Sequence, residues 1–210
     1  MSGRRTASAL LLVTLGMAGC TGDGARDDNA EPVVVQPGAP GEPGQLVAPG
    51  AGGDLPYTEA DVQFVHAMVA HHRQALELAG LVGERTASED ITLLAERIEL
   101  SQADEIARME GWLEARGEAT AGHHHHGLMP GMLTPTQLTE LAAATGPDFD
   151  RRFLDAMIFH HEGALVMVAD LFEQGGAQAA EIYDLAADID ADQRIEIDRM
   201  RTLLASLTPQ

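Results

Sequence analysis

Residues 61–75 read DVQFVHAMVAHHRQA, and residues 150–164 read DRRFLDAMIFHHEGA. Asp61, Phe64, Met68, His71, His72 and Ala75 return 89 residues later as Asp150, Phe153, Met157, His160, His161 and Ala164. Steps of three and four residues are those of an α-helix, and they gather Phe64/Val65, Met68, His71/His72, Ala75 and Leu78/Ala79 on one broad face. A second helical stretch repeats with the first: Gln102, Glu105, Ile106 and Met109 recur 91 residues on as Gln193, Glu196, Ile197 and Met200. The slip of two residues between the pairs is a change of loop length. Ten identities in register exceed what helical composition supplies, so the chain carries two copies of one helical hairpin. Two such hairpins bury their apolar stripes against each other, which predicts an all-α, four-helix bundle.

The boundaries follow from capping chemistry. Thr58 with Asp61 forms a capping box that opens helix 1 over 58–83. Thr86 with Glu89 makes a second capping signature. It precedes a helix that turns Ile91, Leu94, Ile98, Gln102, Glu105/Ile106, Met109 and Trp112/Leu113 inward and ends near Arg116, with Gly117 as its stop. A loop over 118–133 holds His123, His124, His125 and His126, then Met129 and Met132. Thr134-Pro135-Thr136-Gln137 starts a short helix over 135–144 in the connection between hairpins. Helix 3 is expected over 148–173 and helix 4 over 178–206, so the repeats span 58–116 and 148–206 of a domain covering 57–206.

The stretch before the domain is of another kind. Met1–Arg5 carries two positive charges, Ala7–Leu15 is apolar but short, and Met17-Ala18-Gly19-Cys20 follows at once. This resembles a bacterial lipoprotein signal, with residues 1–19 removed and Cys20 lipidated, which implies an exported protein anchored at the extracytoplasmic face of a membrane. Met17 stands where leucine is usual, and Cys20, the sole cysteine, has no disulfide partner in the chain. Residues 20–56, rich in Gly, Pro, Ala, Asp and Glu without a helical period, read as a flexible linker. The chain has no lysine and a net charge of −20, and loss of a leader bearing Arg4 and Arg5 but no acid makes the remainder more acidic still. Such a field disfavours nucleic acid and draws cations.

Chemistry concentrates in the repeat. Neighbouring histidines on a helix point about 100° apart, so His71 and His72 do not easily chelate one ion together from the same helix. Met68 precedes His71 by three residues and His72 by four, and Met157 stands in the same relation to His160 and His161. Each half thus offers a thioether beside two imidazoles, a donor set suited to Cu(I), Ag(I) or Cu(II) rather than to Ca(II) or Mg(II). Taken singly, a methionine on an apolar face is ordinarily core filler, and one histidine of each pair is open to a role as a buried, hydrogen-bonded side chain. Four imidazoles are harder to bury without acceptors or metal. Gln102, Glu105, Gln193 and Glu196 are candidates to orient those imidazoles, to act as ligands themselves, or to remain rim polar groups. Asp61 and Asp150 carry the same ambiguity, with Asp61 closer to a capping residue. His123–His126 with Met129 and Met132 form a capture loop for metal or a solvated polar loop.

The motif Asp61-x-x-Phe64-x-x-x-Met68-x-x-His71-His72-x-x-Ala75, the loop Gly131-Met132-Leu133-Thr134, and Phe149-Asp150-x-x-Phe153-Leu154-x-x-Met157-Ile158-x-His160-His161-Glu162-Gly163-Ala164 together resemble the domain-of-unknown-function 305 family, whose members include periplasmic copper-binding proteins of the CopM type. The resemblance covers 57–206 and implies a ferritin-like bundle and, for some relatives, copper or silver binding linked to metal tolerance. The four consecutive histidines lie outside that pattern, so any role for them rests on chemistry alone. The leading expectation is capture, buffering or tolerance of copper, with silver as an alternative, at the Met-His-His sites and with no covalent group besides lipid. A structural or partner-binding lipoprotein is the second reading. A dimetal oxidase is the third, weakened because such bundles use Glu-x-x-His where this chain has His-His and Gln-x-x-Glu. No serine or cysteine nucleophile arrangement is visible. The repeat is also compatible with a domain-swapped homodimer.

Overall fold

Capping side chains begin three of the five helices, and glycines end several of them. The computed structural model describes residues 34–36, 38, 41–47, 57–118 and 127–207; the leader, Cys20 and His123–His126 lie outside them. Thr58 and Asp61 close the expected capping box on α1 (Glu59–Ala79). This helix stops at Gly80, short of residue 83, and a 3-10 turn over Gly83–Arg85 takes up the remainder. The expected Thr86/Glu89 cap is replaced by Ser88. Glu89 is the first residue of α2 (Glu89–Ala115) and so stands too early to be the third, while Ser88 Oγ accepts from Ile91 N and Thr86 Oγ1 accepts from Ser88 N. Gly117, at φ 72, terminates α2 in a Schellman motif, its amide donating to Glu114 O and that of Glu118 to Leu113 O.

Thr134 and Gln137 box the start of α3 (Pro135–Ala143), with the proline in its first turn. The fourth helix, α4 (Gly146–Glu173), starts two residues earlier than expected because Pro147 fits its first turn, and it closes on Gly175 at φ 77 in a second Schellman motif. The last, α5, runs Ala180–Ser206. Within the stretch read as a flexible linker, β1 (Val34–Gln36) lies antiparallel to β2 (Gln45–Val47), with Val35 opposite Leu46. Short apolar runs flanking a Gly- and Pro-rich turn suffice for such a ribbon, and they are too brief to show a two-residue period.

The hairpins α1–α2 and α4–α5 are the tightest pairings, and they meet mainly through α1 and α4; α3 rests on α4. The core consists of two apolar clusters. One includes Val65, Met68, Met109, Leu113, Val168 and Ile189; the other includes Leu78, Ile98, Phe149, Phe153, Met157 and Met200. In all four long helices a buried polar pair interrupts the apolar face where it passes from one cluster to the other: His71/His72, Gln102/Glu105, His160/His161 and Gln193/Glu196, none more than 4% exposed. The bundle therefore has a polar waist.

Asp61 ties the repeats together. Its Oδ2 accepts from Thr58 N at 2.7 Å and from Thr58 Oγ1 at 2.9 Å, while its Oδ1 accepts from Ala177 N at 2.6 Å in the turn between α4 and α5. Both oxygens of this fully buried carboxylate are thus committed to backbone and cap. Asp150, at the equivalent repeat position, lies a turn inside its helix and leaves Oδ1 without a partner. Asp61→Ala removes a cap and a charge-assisted bond at once, and is expected to lower unfolding stability by about 3 kcal/mol, read as a reduced urea midpoint. A midpoint within error of wild type would refute this role.

Candidate metal centre

The waist assembles because the repeat is symmetric. His71 and His160 occupy equivalent positions and touch, their ring centroids 3.8 Å apart and the planes inclined by 33°. Equivalent residues in contact must straddle the pseudo-two-fold axis relating the hairpins. His72 and His161 flank this central pair at centroid distances of 6.3 Å from His71 and 6.1 Å from His160. The four imidazoles, all fully buried, form one row across the bundle.

Each imidazole is held by its Nε2. His72 Nε2 donates to Glu105 Oε2 at 2.6 Å, and His161 Nε2 to Glu196 Oε2 at 2.7 Å. His160 Nε2 donates to the His71 carbonyl at 3.1 Å, whereas His71 Nε2 donates to the Pro130 carbonyl at 3.0 Å. Carbonyl oxygens only accept, so the protons of His71 and His160 reside on Nε2. Burial, and secondarily the neighbouring histidines, lowers the pKa of His71 to about 3 and holds that of His160 well below the ordinary 6.5. Both rings are therefore neutral, each with a bare lone pair on Nδ1. No Nδ1 of the four has a hydrogen-bond partner. Glu105 Oε1, both amide atoms of Gln102 and Gln193 Oε1 are also buried without partners.

The carboxylates differ between halves. Ser101 Oγ donates to Glu196 Oε1 at 3.1 Å, while the position equivalent to Ser101 is Asp192. Partial burial, then the charges of Glu105 and Glu196, raise the pKa of Asp192. Acid thus gathers on the outer side of the histidine row.

The methionines part company. Met68 and Met157 are both fully buried, but they belong to different apolar clusters, one on each side of the waist, rather than converging. Each thioether lies one turn from the imidazoles of its own half. Among the described residues, no three His, Cys, Asp or Glu side chains gather around one point suited to a metal ion. What the waist offers is nitrogen donors, neutral at His71 and His160, with sulfur one turn away, which fits soft ions that accept few ligands.

The connector before α3 also reaches the site, a part that helical periodicity does not show. Met129-Pro130-Gly131-Met132 makes a turn in which Met132 N donates to Met129 O at 3.1 Å and Gly131 sits at φ 76. Proline followed by a positive-φ glycine is the pattern of a type II turn, whose middle carbonyl is free to bond elsewhere; here Pro130 O reaches His71. Gln74 grips the same segment, its Nε2 donating to Leu133 O at 3.0 Å and its Oε1 accepting from Leu133 N at 2.7 Å. On the opposing helix Gly163 leaves room: a Cβ there would lie 2.2 Å from Pro130 O. Met129 packs half-buried against the first apolar cluster. The available signal was a break in the repeat, since Gln74 and Gly163 are equivalent positions with opposite chemistry.

Neutral buried histidines make the metal-free protein acid-sensitive. In the unfolded chain both protonate below about 6.5, while His71 stays neutral in the fold down to about 3, so the unfolded state binds more protons as pH falls and stability declines. Between pH 7 and pH 5 His71 contributes a loss of about 2 kcal/mol, and His160 acts in the same direction. Urea unfolding with a chelator present should show His71→Gln losing less stability over this range than wild type. Parallel losses would contradict a neutral His71.

A family model described as "Domain of unknown function (DUF305)" matches residues 61–204. No curated protein gives a significant match. Among similar solved structures, a DUF305 fragment from Deinococcus radiodurans is 34% identical, with 72% of this chain and 99% of that one covered and a TM-score of 0.66. A DUF305 protein from Streptomyces coelicolor, assigned as secreted, is 30% identical over 70% of this chain and 93% of its own, with a TM-score of 0.65. CopM in its Cu(II)-bound form is 27% identical over 70% of this chain and 97% of its own, with a TM-score of 0.59, and CopM is also solved with Cu(I) and with Ag. With the family model matching most of its length and the same helical architecture in these structures, the chain belongs to the DUF305 family.

Proposed function

We propose that this chain is an exported protein whose bundle waist binds a soft metal ion, copper foremost and silver by the same chemistry, as cargo to be captured, buffered or kept from doing harm. One observation carries the reading: four buried Nδ1 atoms stand without partners while every Nε2 is held. A structural role for the imidazoles accounts for Nε2 alone. Leaving four buried nitrogens unpaired costs stability that a metal would return. His71, His72, His160 and His161 would donate through Nδ1, with Met68 and Met157 as the sulfur donors within each half. Glu105 and Glu196 would orient the outer imidazoles through Nε2 and strengthen them as donors. The Cu- and Ag-bound forms of CopM support this choice of ion. Removal of residues 1–19, lipidation of Cys20 and a membrane-tethered bundle over 57–206 belong to the same proposal, as does a separate capture role for His123–His126 with Met129 and Met132.

Competition titrations of the untagged protein with Cu(I), Ag(I), Cu(II) and Zn(II) test it. The double variant His72→Ala/His161→Ala is expected to weaken Cu(I) and Ag(I) binding by more than about 100-fold, and Glu105→Gln by about 10–100-fold. Deletion of 123–126 should leave the tightest site in place. Binding that disappears with the loop and ignores the double variant would remove the waist as the site.

A further inference from the structure

The two central histidines are held by different means. His160 is fixed by a carbonyl of α1, part of the helix framework, whereas His71 depends on a loop carbonyl, that of Pro130. Loop backbone keeps such an orientation only if something holds the loop. Gln74 does so with two buried hydrogen bonds to Leu133, and Gly163 gives the turn its seat, with Gly131 packed so closely that its own Cβ would lie 2.7 Å from Gly163 Cα and from His160 O. Gln74 touches none of the four imidazoles in the hydrogen-bond network; it acts two links away, through Leu133 and Pro130.

We infer that Gln74 and Gly163 are positioning residues which, by clamping the Pro130–Leu133 connector between α1 and α4, set the tautomer of His71 and so present its Nδ1 lone pair. The clamp serves one histidine of the four. His72 and His161 are set by glutamates and His160 by a helix carbonyl, so releasing the connector leaves those three rings as they are. A site with three preset donors and one governed by a loop is under the control of that loop, and the same segment carries Met129 and Met132. The consequence for metal rests on the proposed function, but the effect on the His71 tautomer does not.

The test reads imidazole nitrogens directly, by long-range proton–nitrogen correlation of metal-free protein at neutral pH. In wild type, His71 and His160 should each show a protonated Nε2 and a bare Nδ1. In Gln74→Leu, the His71 nitrogens should move to values averaged between the two tautomers while those of His72, His160 and His161 hold. Gly163→Ala, which displaces the turn from the other side, should reproduce the change and guards against a folding defect peculiar to the first variant; helicity by circular dichroism establishes that each is folded. Cu(I) affinity is then expected to fall by about 10–100-fold in both. A His71 that keeps its wild-type tautomer in either folded variant, or that carries its proton on Nδ1 in wild type, overturns the inference. Failure of every variant and of wild type to bind metal, with the tautomer shift intact, would instead sink the functional proposal and leave the clamp standing.

Discussion

The contact between His71 and His160 is the constraint around which the bundle is organised. It lies where the internal symmetry demands a self-contact, and it places two polar rings in the middle of an apolar core. Everything near it answers a need it creates. Carbonyls from α1 and from the connector take up the Nε2 protons, the flanking imidazoles fall one residue further along each helix, and glutamates on the partner helices receive them. Desolvation keeps the central rings uncharged, which makes them useful as nitrogen donors at neutral pH.

The waist also divides labour between the two halves of the core. Above and below it, leucine, isoleucine, phenylalanine and methionine side chains pack as in any bundle, and each apolar cluster draws on all four long helices. Neither hairpin owns a core of its own. Packing either cluster therefore needs both hairpins, and the apolar burial on the two sides offsets the energetic cost of the polar layer between them.

Much of this was legible beforehand because it was written twice. The recurrence of Asp, Phe, Met, His-His and Ala at fixed spacing announces the hairpins; Thr58 and Gly117 mark the ends of the first, and Pro135 the start of the connecting helix, by chemistry that acts within a turn of the chain. At two helix ends, local signals compete. Ser88 displaced Thr86 because the cap is decided by which residue stands one before the first helical turn, and Gly80 cut α1 short of 83. Features depending on distant segments were out of reach. Periodicity puts Met68 and Met157 on inward faces but does not reveal that antiparallel α1 and α4 carry them to opposite sides of the waist. Nor does a proline–glycine pair in a loop declare which histidine its carbonyl will meet. The ribbon at 34–47 escaped because three-residue strands carry no readable period.

The equivalence of Gln74 and Gly163 bears on why both hairpins reside in a single polypeptide. Were the bundle made from two identical chains, that position would have to be glutamine on both sides or glycine on both sides. Two glutamines would crowd the seat that a bare Cα provides, and two glycines would leave nothing to grip the connector. Covalent fusion frees each copy to take its own residue, so that one hairpin supplies the hand and the other the gap into which the intervening loop is pressed.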